Sequence, residues 1–217
     1  MLLGLAHATA NAPGSIAMLP AIPRAAYGLV VLGGLWICLW RRRWRLFGLA
    51  PVAIGAAWSL ATPAPDILVT GDGRHLVLRD EAGRLALLRP RAGDYVRDLL
   101  AELSGAEPDY YDLETWPRAA CSADLCVAEI RRGNRRWRLL VTRSDRFVPW
   151  AGMVHACAEA DIVIADRRLP RACAPCWLKA DAAMLRRTGG LAITLGERPR
   201  VATVAALEGA HPWRATP

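Results

Sequence analysis

Lysine, phenylalanine and, in one region, acidic side chains are scarce or missing in this chain of 217 residues. Lys179 is the single lysine beside 27 arginines, and two phenylalanines stand beside nine tryptophans. Residues 1–65 hold five arginines and no acid, whereas residues 66–217 hold 23 basic and 20 acidic side chains, a net charge of +3. Most of the total charge of +8 therefore belongs to the apolar N-terminal part, which argues against a nucleic-acid-binding surface spread over the whole chain.

The short motifs of several enzyme classes are also missing. There is no P-loop and no nucleophile elbow, and no H-x-H, H-x-x-x-H or H-E-x-x-H spacing joins the four histidines His7, His75, His155 and His211. The candidate carboxylate ligands for a metal are Asp72, Asp161 and Asp166. Carboxylates alone, however, bind hard ions only weakly. We therefore predict no catalytic residue, no catalytic metal and no cofactor.

Two uncharged stretches, at about residues 25–40 and 46–64, flank the segment "RRRWR" at Arg41–Arg45. A membrane span needs about 20 apolar residues, or fewer where flanking arginines reach to the interface. We predict a membrane hairpin over residues 1–65 with these two spans in the lipid bilayer; the alternative is a buried helical hairpin. The positive-inside rule places the arginines in the cytoplasm of a bacterial inner membrane, and residues 66–217 then face the periplasm.

Short apolar runs separated by glycine turns begin at Asp66 and indicate a soluble domain over residues 66–217. We predict a β-hairpin of His75–Leu78 with Leu85–Leu88 and a second hairpin turned at "RRGNR". Between them, "GDYVRDLLAEL" predicts a helix with Val96, Leu99, Leu100 and Leu103 on its apolar face, and "EPDYYDLETWP" predicts a loop. Later β-α-β units, with Asp181 and Gly189 capping a helix, complete an α/β sandwich of mixed sheets.

Five of the six cysteines lie in the predicted periplasmic domain, where an oxidising compartment favours disulfides. We predict Cys121–Cys126 and Cys157–Cys173, which leaves Cys176, while other connectivities stay open. The alternative for "CAPC" is a thioredoxin-like redox couple, although only 41 residues follow Cys176. A zinc knuckle would need a second C-x-x-C or H-x-x-H pair, which the sequence lacks.

The densest basic run, "RRGNRRWR", contains a tryptophan. Arginines interleaved with an aromatic ring are typical of weak, sequence-independent contacts to single-stranded DNA. The candidate contacts are Arg131, Arg132, Arg135, Arg136, Trp137 and Arg138. The alternative is a solvated hairpin tip with no ligand.

An ordered series of segments resembles the C-terminal part of the ComEC-type bacterial competence DNA-uptake channel family, in its alphaproteobacterial form. The series is a membrane hairpin, "GDGRH", "RAGDYVRDLLAE", "WPRAACSADLC", "ADIVIADRRLPRACAPCWLK" and a terminal "HPW". It covers nearly the whole chain from about Gly14. The resemblance implies a metallo-β-lactamase-like α/β sandwich, but the family's H-x-H-x-D-H and His-His-Gly-Ser metal motifs are missing here.

The resemblance therefore predicts a membrane-anchored, non-catalytic module of DNA uptake with a degenerate metallo-β-lactamase-like domain. Because the family's channel is missing, we expect a fragment or split-gene product that pairs with a separate channel subunit. The alternatives are an active metallo-β-lactamase-type phosphodiesterase or nuclease and a periplasmic thiol-disulfide oxidoreductase.

Overall fold

The structure is a computed structural model that describes residues 2–10, 12, 22–89, 91–106, 109–144, 146 and 148–209. The chain divides into two compact units. The first comprises Met1–Ala64 with Glu102–Glu107, and the second comprises Pro65–Ala101 with Pro108–Pro217. Each unit is described separately below.

The first unit contains a helical hairpin. Helices α1 and α2 cover Leu2–Ala10 and Arg24–Leu39, and a 3₁₀ helix at Arg43–Gly48 continues directly into α3, Leu49–Ala61. Helices α2 and α3 run antiparallel and pack through small residues. A Cβ added to Gly33 would lie 2.6 Å from the Gly48 carbonyl oxygen, and one added to Gly55 would lie 2.7 Å from the Ala26 oxygen. Glycine is therefore required at this contact, as in many helix pairs packed within membranes.

Among the described residues, one helix is long and apolar enough to cross a membrane, judged by length and composition. It is the continuous segment Arg43–Ala61, of 19 residues, which overlaps the second predicted span. The first predicted span corresponds to α2, which has 16 residues and falls short of that length. The structure thus supplies a full-length helix for only one of the two predicted spans.

The second unit is a mixed α/β domain with two mixed sheets. The first sheet has six strands in the order β11-β10-β1-β2-β3-β4, all antiparallel except the β3–β4 pair. Its strands are β1 Ile67–Thr70, β2 Leu76–Arg79, β3 Leu85–Leu87, β4 Tyr110–Asp112, β10 Gly190–Thr194 and β11 Arg200–Thr203.

The second sheet has five strands in the order β5-β6-β7-β8-β9, antiparallel from β5 to β7 and parallel from β7 to β9. Its strands are β5 Ala119–Cys121, β6 Leu125–Arg132, β7 Arg135–Thr142, β8 Ile162–Ile164 and β9 Leu178–Ala180. The remaining helices are α4 Asp94–Ser104, whose last three residues belong to the first unit, a 3₁₀ helix Leu113–Thr115, α5 Trp150–Ala158, α6 Ala182–Thr188 and α7 Val204–Glu208.

The two sheets pack face to face around the main core. Side chains of β1 and β2, such as Ile67 and Leu78, share one buried cluster with Ile130, Leu139 and Ile164 of the second sheet. Alternate residues of the second sheet point the other way, into a smaller cluster formed with α5 and the chain around Cys173. The period of two along each strand therefore separates the two cores.

Most of the predicted elements of the domain are confirmed. Both hairpins form, and Asp181 caps α6 by accepting from the N–H groups of Ala183 and Met184 at 3.1 and 3.0 Å. Gly189 ends α6 in the left-handed conformation, with φ of 72°. The prediction of an α/β domain with mixed sheets is thus confirmed.

One local prediction is wrong, and a second is only partly right. The predicted loop "EPDYYDLETWP" contains strand β4, which pairs in parallel with β3 at the sheet edge. Three residues are too few for an alternating pattern, so only the pairing reveals this strand. In α4, Leu100 is buried and Val96 is half-buried as predicted, but Leu99 and Leu103 are 37% and 46% exposed. The buried face is therefore shifted toward Ala101 and Ser104.

Candidate functional site

A cluster of polar side chains lies where β7 and β8 end. Thr142 is the last residue of β7, and Asp166 follows β8 by two positions. Because these strands are parallel neighbours, their carboxyl ends meet, as they do at the ligand sites of many α/β sheets. The Thr142 hydroxyl donates to Asp166 Oδ1 at 3.0 Å and accepts from the Asp166 N–H at 3.2 Å.

Arg89, which follows β3 in the six-stranded sheet, completes this cluster. Its Nη2 donates to Asp166 Oδ2 at 2.9 Å and to the Arg143 carbonyl oxygen at 2.8 Å. The side chain of Asp166 is only 4% exposed, so this is a buried ion pair that joins the two sheets. Both carboxylate oxygens already accept a hydrogen bond, which favours a structural role over metal binding.

The turn after β1 packs directly against the backbone of Asp166. Gly73 has φ of 69°, and a Cβ placed on it would lie 3.0 Å from the Asp166 Cα. The same turn holds Asp72, whose carboxylate accepts from the Thr70 hydroxyl and from the Arg74 N–H. Burial alone would raise the pKa of Asp72, but these hydrogen bonds and the nearby charges of His75 and Arg74 outweigh it and lower the pKa.

The candidate metal ligands do not converge. Asp161 precedes β8 and accepts from the Arg138 N–H at 2.9 Å, so it lies at the opposite end of that strand from Asp166. His75 has a buried Nδ1 without a hydrogen-bond partner, whereas His155 is an exposed side chain of α5 whose Nδ1 lies 3.6 Å from Glu159. The described part of the chain contains no group of three or more His, Cys, Asp or Glu that could hold a metal ion; His211 lies outside it.

The basic hairpin of β6 and β7 differs from the prediction at Trp137. Its ring is fully buried between the sheets and packs edge-on against Trp177, with centroids 5.2 Å apart. The guanidinium of Arg135 covers it from outside at 3.8 Å. Trp137 therefore offers no face to a nucleic-acid base. It alternates with the buried Leu139 and Val141, and this period of two was the signal that the sequence analysis missed.

Each arginine of this hairpin also has a carboxylate nearby. Arg138 pairs with Glu159 at 3.0 Å, and Arg131 and Arg136 approach Glu129 at 3.5 and 3.9 Å. Arg135 lies 3.8 Å from Asp161, and Arg132 is bound to Asp66. A shallow pocket of about 370 Å³ lies at the hairpin tip, and Glu197 brings a further carboxylate to it. The pocket is lined by Arg132, Gly133, Asn134, Arg135, Gly196 and Glu197. The five arginines share four paired carboxylates, which partly offset their charge toward a phosphate backbone.

The buried partners of Arg132 were not anticipated. Its Nε donates to Asp66 Oδ1 at 2.5 Å, and its Nη2 donates to the Arg79 carbonyl oxygen at 2.6 Å. Asp66 Oδ2 accepts from the Leu195 N–H at 2.6 Å. Arg132 is therefore a structural link between the sheets and is not free to contact a ligand. A contact between residues 66 positions apart leaves no local pattern in the sequence.

The cysteines form two close pairs. Cys121 and Cys126 are directly opposed on β5 and β6, with Cα atoms 4.0 Å apart. Cys157 of α5 and Cys173 have Cα atoms 5.2 Å apart, within the usual range for a disulfide. Cys176, the second cysteine of "CAPC", is exposed and unpaired. The structure therefore places both predicted pairs at disulfide distance.

Comparison with known protein families, with curated protein sequences and with solved structures finds no match.

Proposed function

We propose that this chain is a membrane-anchored, non-catalytic module of a ComEC-type bacterial DNA-uptake system. The helices α2 and α3 cross the inner membrane, and the sandwich of residues 66–217 lies in the periplasm. The observation that carries the anchor is the exposed apolar surface of the hairpin. Many of its large apolar side chains are 38–76% exposed, among them Leu32, Leu39, Ile54 and Leu60. An apolar surface of this extent is typical of contact with lipid or a partner protein.

The helix lengths are compatible with a bilayer. The continuous helix Arg43–Ala61 rises about 32 Å, taking about 2.0 Å per residue in its 3₁₀ part and about 1.5 Å in α3, and a hydrocarbon core is about 30 Å thick. Helix α2 rises only about 24 Å. Arg24 is its first residue and Arg41 follows it closely, and their long side chains can reach the interface from a shorter span.

The orientation follows from the distribution of arginine. With Arg41–Arg45 in the cytoplasm, both ends of the hairpin face outward and the sandwich is exported. Export agrees with the two cysteine pairs at disulfide distance, because disulfides persist in oxidising compartments.

The assignment to DNA uptake rests on the ordered sequence resemblance. The partners it implies are the lipid bilayer and a separate channel subunit. Contact with single-stranded DNA is expected to be weak and lost as salt rises, because the hairpin arginines already face carboxylates and Trp137 is buried. The non-catalytic role is supported by the occupied oxygens of Asp166.

Charge placed in the middle of the hairpin should abolish membrane anchoring. Leu32 and Ile54 are 65% and 58% exposed, so arginine at either position costs a globular protein little but costs a membrane helix about 2.5–3.5 kcal/mol. We expect the unmodified chain to resist alkaline carbonate extraction, and the Leu32→Arg, Ile54→Arg double variant to be released or degraded. The control is Leu207→Arg, at a similarly exposed leucine of α7, and this variant should stay with the membrane. Normal membrane retention of the double variant would contradict the anchor.

Measurements of metal content and of DNA hydrolysis distinguish the proposed non-catalytic module from the alternative, a metallo-β-lactamase-type nuclease. We expect the purified chain to bind no zinc or manganese stoichiometrically and to release no product from labelled single- or double-stranded DNA. Two-metal hydrolysis needs several ligands around ions about 3.5–4 Å apart. Stoichiometric metal, with turnover lost in His75→Ala but kept in His155→Ala, would establish an enzyme. A thiol oxidoreductase would instead show one reactive low-pKa cysteine.

A further inference from the structure

The turn between α2 and α3 carries positive charge that no carboxylate neutralises. Arg41, Arg42, Arg43 and Arg45 are all exposed, and residues 1–65 contain no acid. None of them forms an ion pair with any described residue, unlike the arginines of the β6–β7 hairpin. This turn therefore holds four exposed arginines whose charge is available to an anionic ligand.

A row of aromatic rings lies beside these arginines. Trp36 stacks on Trp40 with centroids 5.1 Å apart, Trp40 stacks on Trp44 at 6.5 Å, and Phe47 continues the row at 6.0 Å. The indole N–H of Trp36 donates to the Trp44 carbonyl oxygen at 3.0 Å and fixes the turn to α2. Tryptophan concentrates at the headgroup level of membranes because its ring is apolar and its N–H is polar.

We propose that the Arg41–Arg45 turn is a binding site for the headgroups of anionic phospholipids; this rests on the proposed membrane anchor. Guanidinium groups match the phosphate oxygens in geometry and charge. The aromatic row places the arginines at the depth where those phosphates lie. Each arginine held near an anionic surface strengthens attachment about fivefold, and the effect is screened by salt.

The site is tested with the full chain reconstituted into phosphatidylcholine bilayers that contain a minor fraction of brominated lipid. Brominated acyl chains quench nearby tryptophans, and the aromatic row is the reporter. We expect brominated phosphatidylglycerol to quench several-fold more efficiently than brominated phosphatidylcholine at the same mole fraction, with the difference falling as salt is added. Replacing all four arginines with glutamine should remove the difference. The exposed pair Arg186 and Arg187 of α6 supplies the control, because its double glutamine variant should keep the preference.

The outcomes separate this inference from the anchor itself. Quenching by neither lipid would show that the hairpin does not enter the bilayer, and both proposals would fall. Equal quenching by both lipids would keep the anchor and overturn the lipid site. Binding of single-stranded DNA to the turn, without preference for phosphatidylglycerol, would also overturn it.

Discussion

Replacing Asp66 with alanine should lower the free energy of unfolding by about 3–5 kcal/mol, the usual effect of removing one partner of a buried ion pair. The Asp66 carboxylate accepts from Arg132 at 2.5 Å and from the Leu195 N–H at 2.6 Å. The variant would leave the Arg132 guanidinium, in a side chain only 17% exposed, without a counter-charge. It would also leave the Leu195 N–H without its acceptor. Because Asp66 precedes β1 and Arg132 ends β6, the loss would loosen the contact between the two sheets.

Urea unfolding of the detergent-solubilised chain, followed by tryptophan fluorescence, measures this change. Glu81→Ala is the matched control, because its pair with Arg118 is exposed and contributes at most about 1 kcal/mol. The double variant Asp66→Leu, Arg132→Met should recover most of the loss, since an apolar pair leaves no buried charge. An effect of Asp66→Ala no larger than that of Glu81→Ala would show that the ion pair does not hold the sheets together.

Removing the Cys157–Cys173 bridge should cost about 3 kcal/mol, within the range of about 2–5 kcal/mol for native disulfides. The two cysteines are 16 positions apart and buried in the smaller core, where they fasten α5 to the returning chain. A bridge over a loop of this length removes much of the freedom of the unfolded chain. Replacing both cysteines with alanine avoids a buried unpaired thiol and tests the bridge itself.

The measurement is urea unfolding with and without reductant. The unmodified chain should lose stability on reduction, whereas the double alanine variant should be already destabilised and lose less, because only Cys121–Cys126 remains to be reduced. Cys176→Ser should change the stability by less than about 0.5 kcal/mol, since Cys176 is exposed and unpaired. Equal stability of the double alanine variant and the unmodified chain, both without reductant, would contradict the bridge.

The sequence alone predicted the elements whose signal is local. Short apolar runs on either side of turns marked β2, β3, β6 and β7, and the glycine turn of the second hairpin lies between the paired Arg132 and Arg135. Asp181 and Gly189 marked the ends of α6, because capping depends on residues a few positions apart. The pairing of Cys121 with Cys126 followed from their closeness along the chain in a short loop before a strand.

Sequence patterns predict less where the direction of a side chain decides whether it is buried. The tryptophan of "RRGNRRWR" was interpreted by its basic neighbours, although its spacing from Leu139 and Val141 places it on the inward face of β7. Strand β4 was missed because three residues at an edge carry no period. Leu99 and Leu103 were wrongly assigned to the buried face of α4, because burial there depends on what covers the helix.

The sequence by itself determined the arginine-rich turn, the apolar helices on either side of it and the mixed α/β character of the domain. It also showed that the histidines are too far apart along the chain to form a local metal motif. Only the tertiary structure decided which arginine side chains are paired with a carboxylate and which remain available to a ligand. It placed Arg89 on Asp166, 77 positions away, and Arg132 on Asp66, 66 positions away. Charged side chains carry no period that reveals their partner, and a buried charge is stable only where folding brings an opposite charge and hydrogen-bond donors to it. Of the hairpin arginines that suggested ligand binding, Arg132 is therefore held by the fold and the others lie near carboxylates at the surface, while those of the Arg41–Arg45 turn stay exposed without a described ion pair.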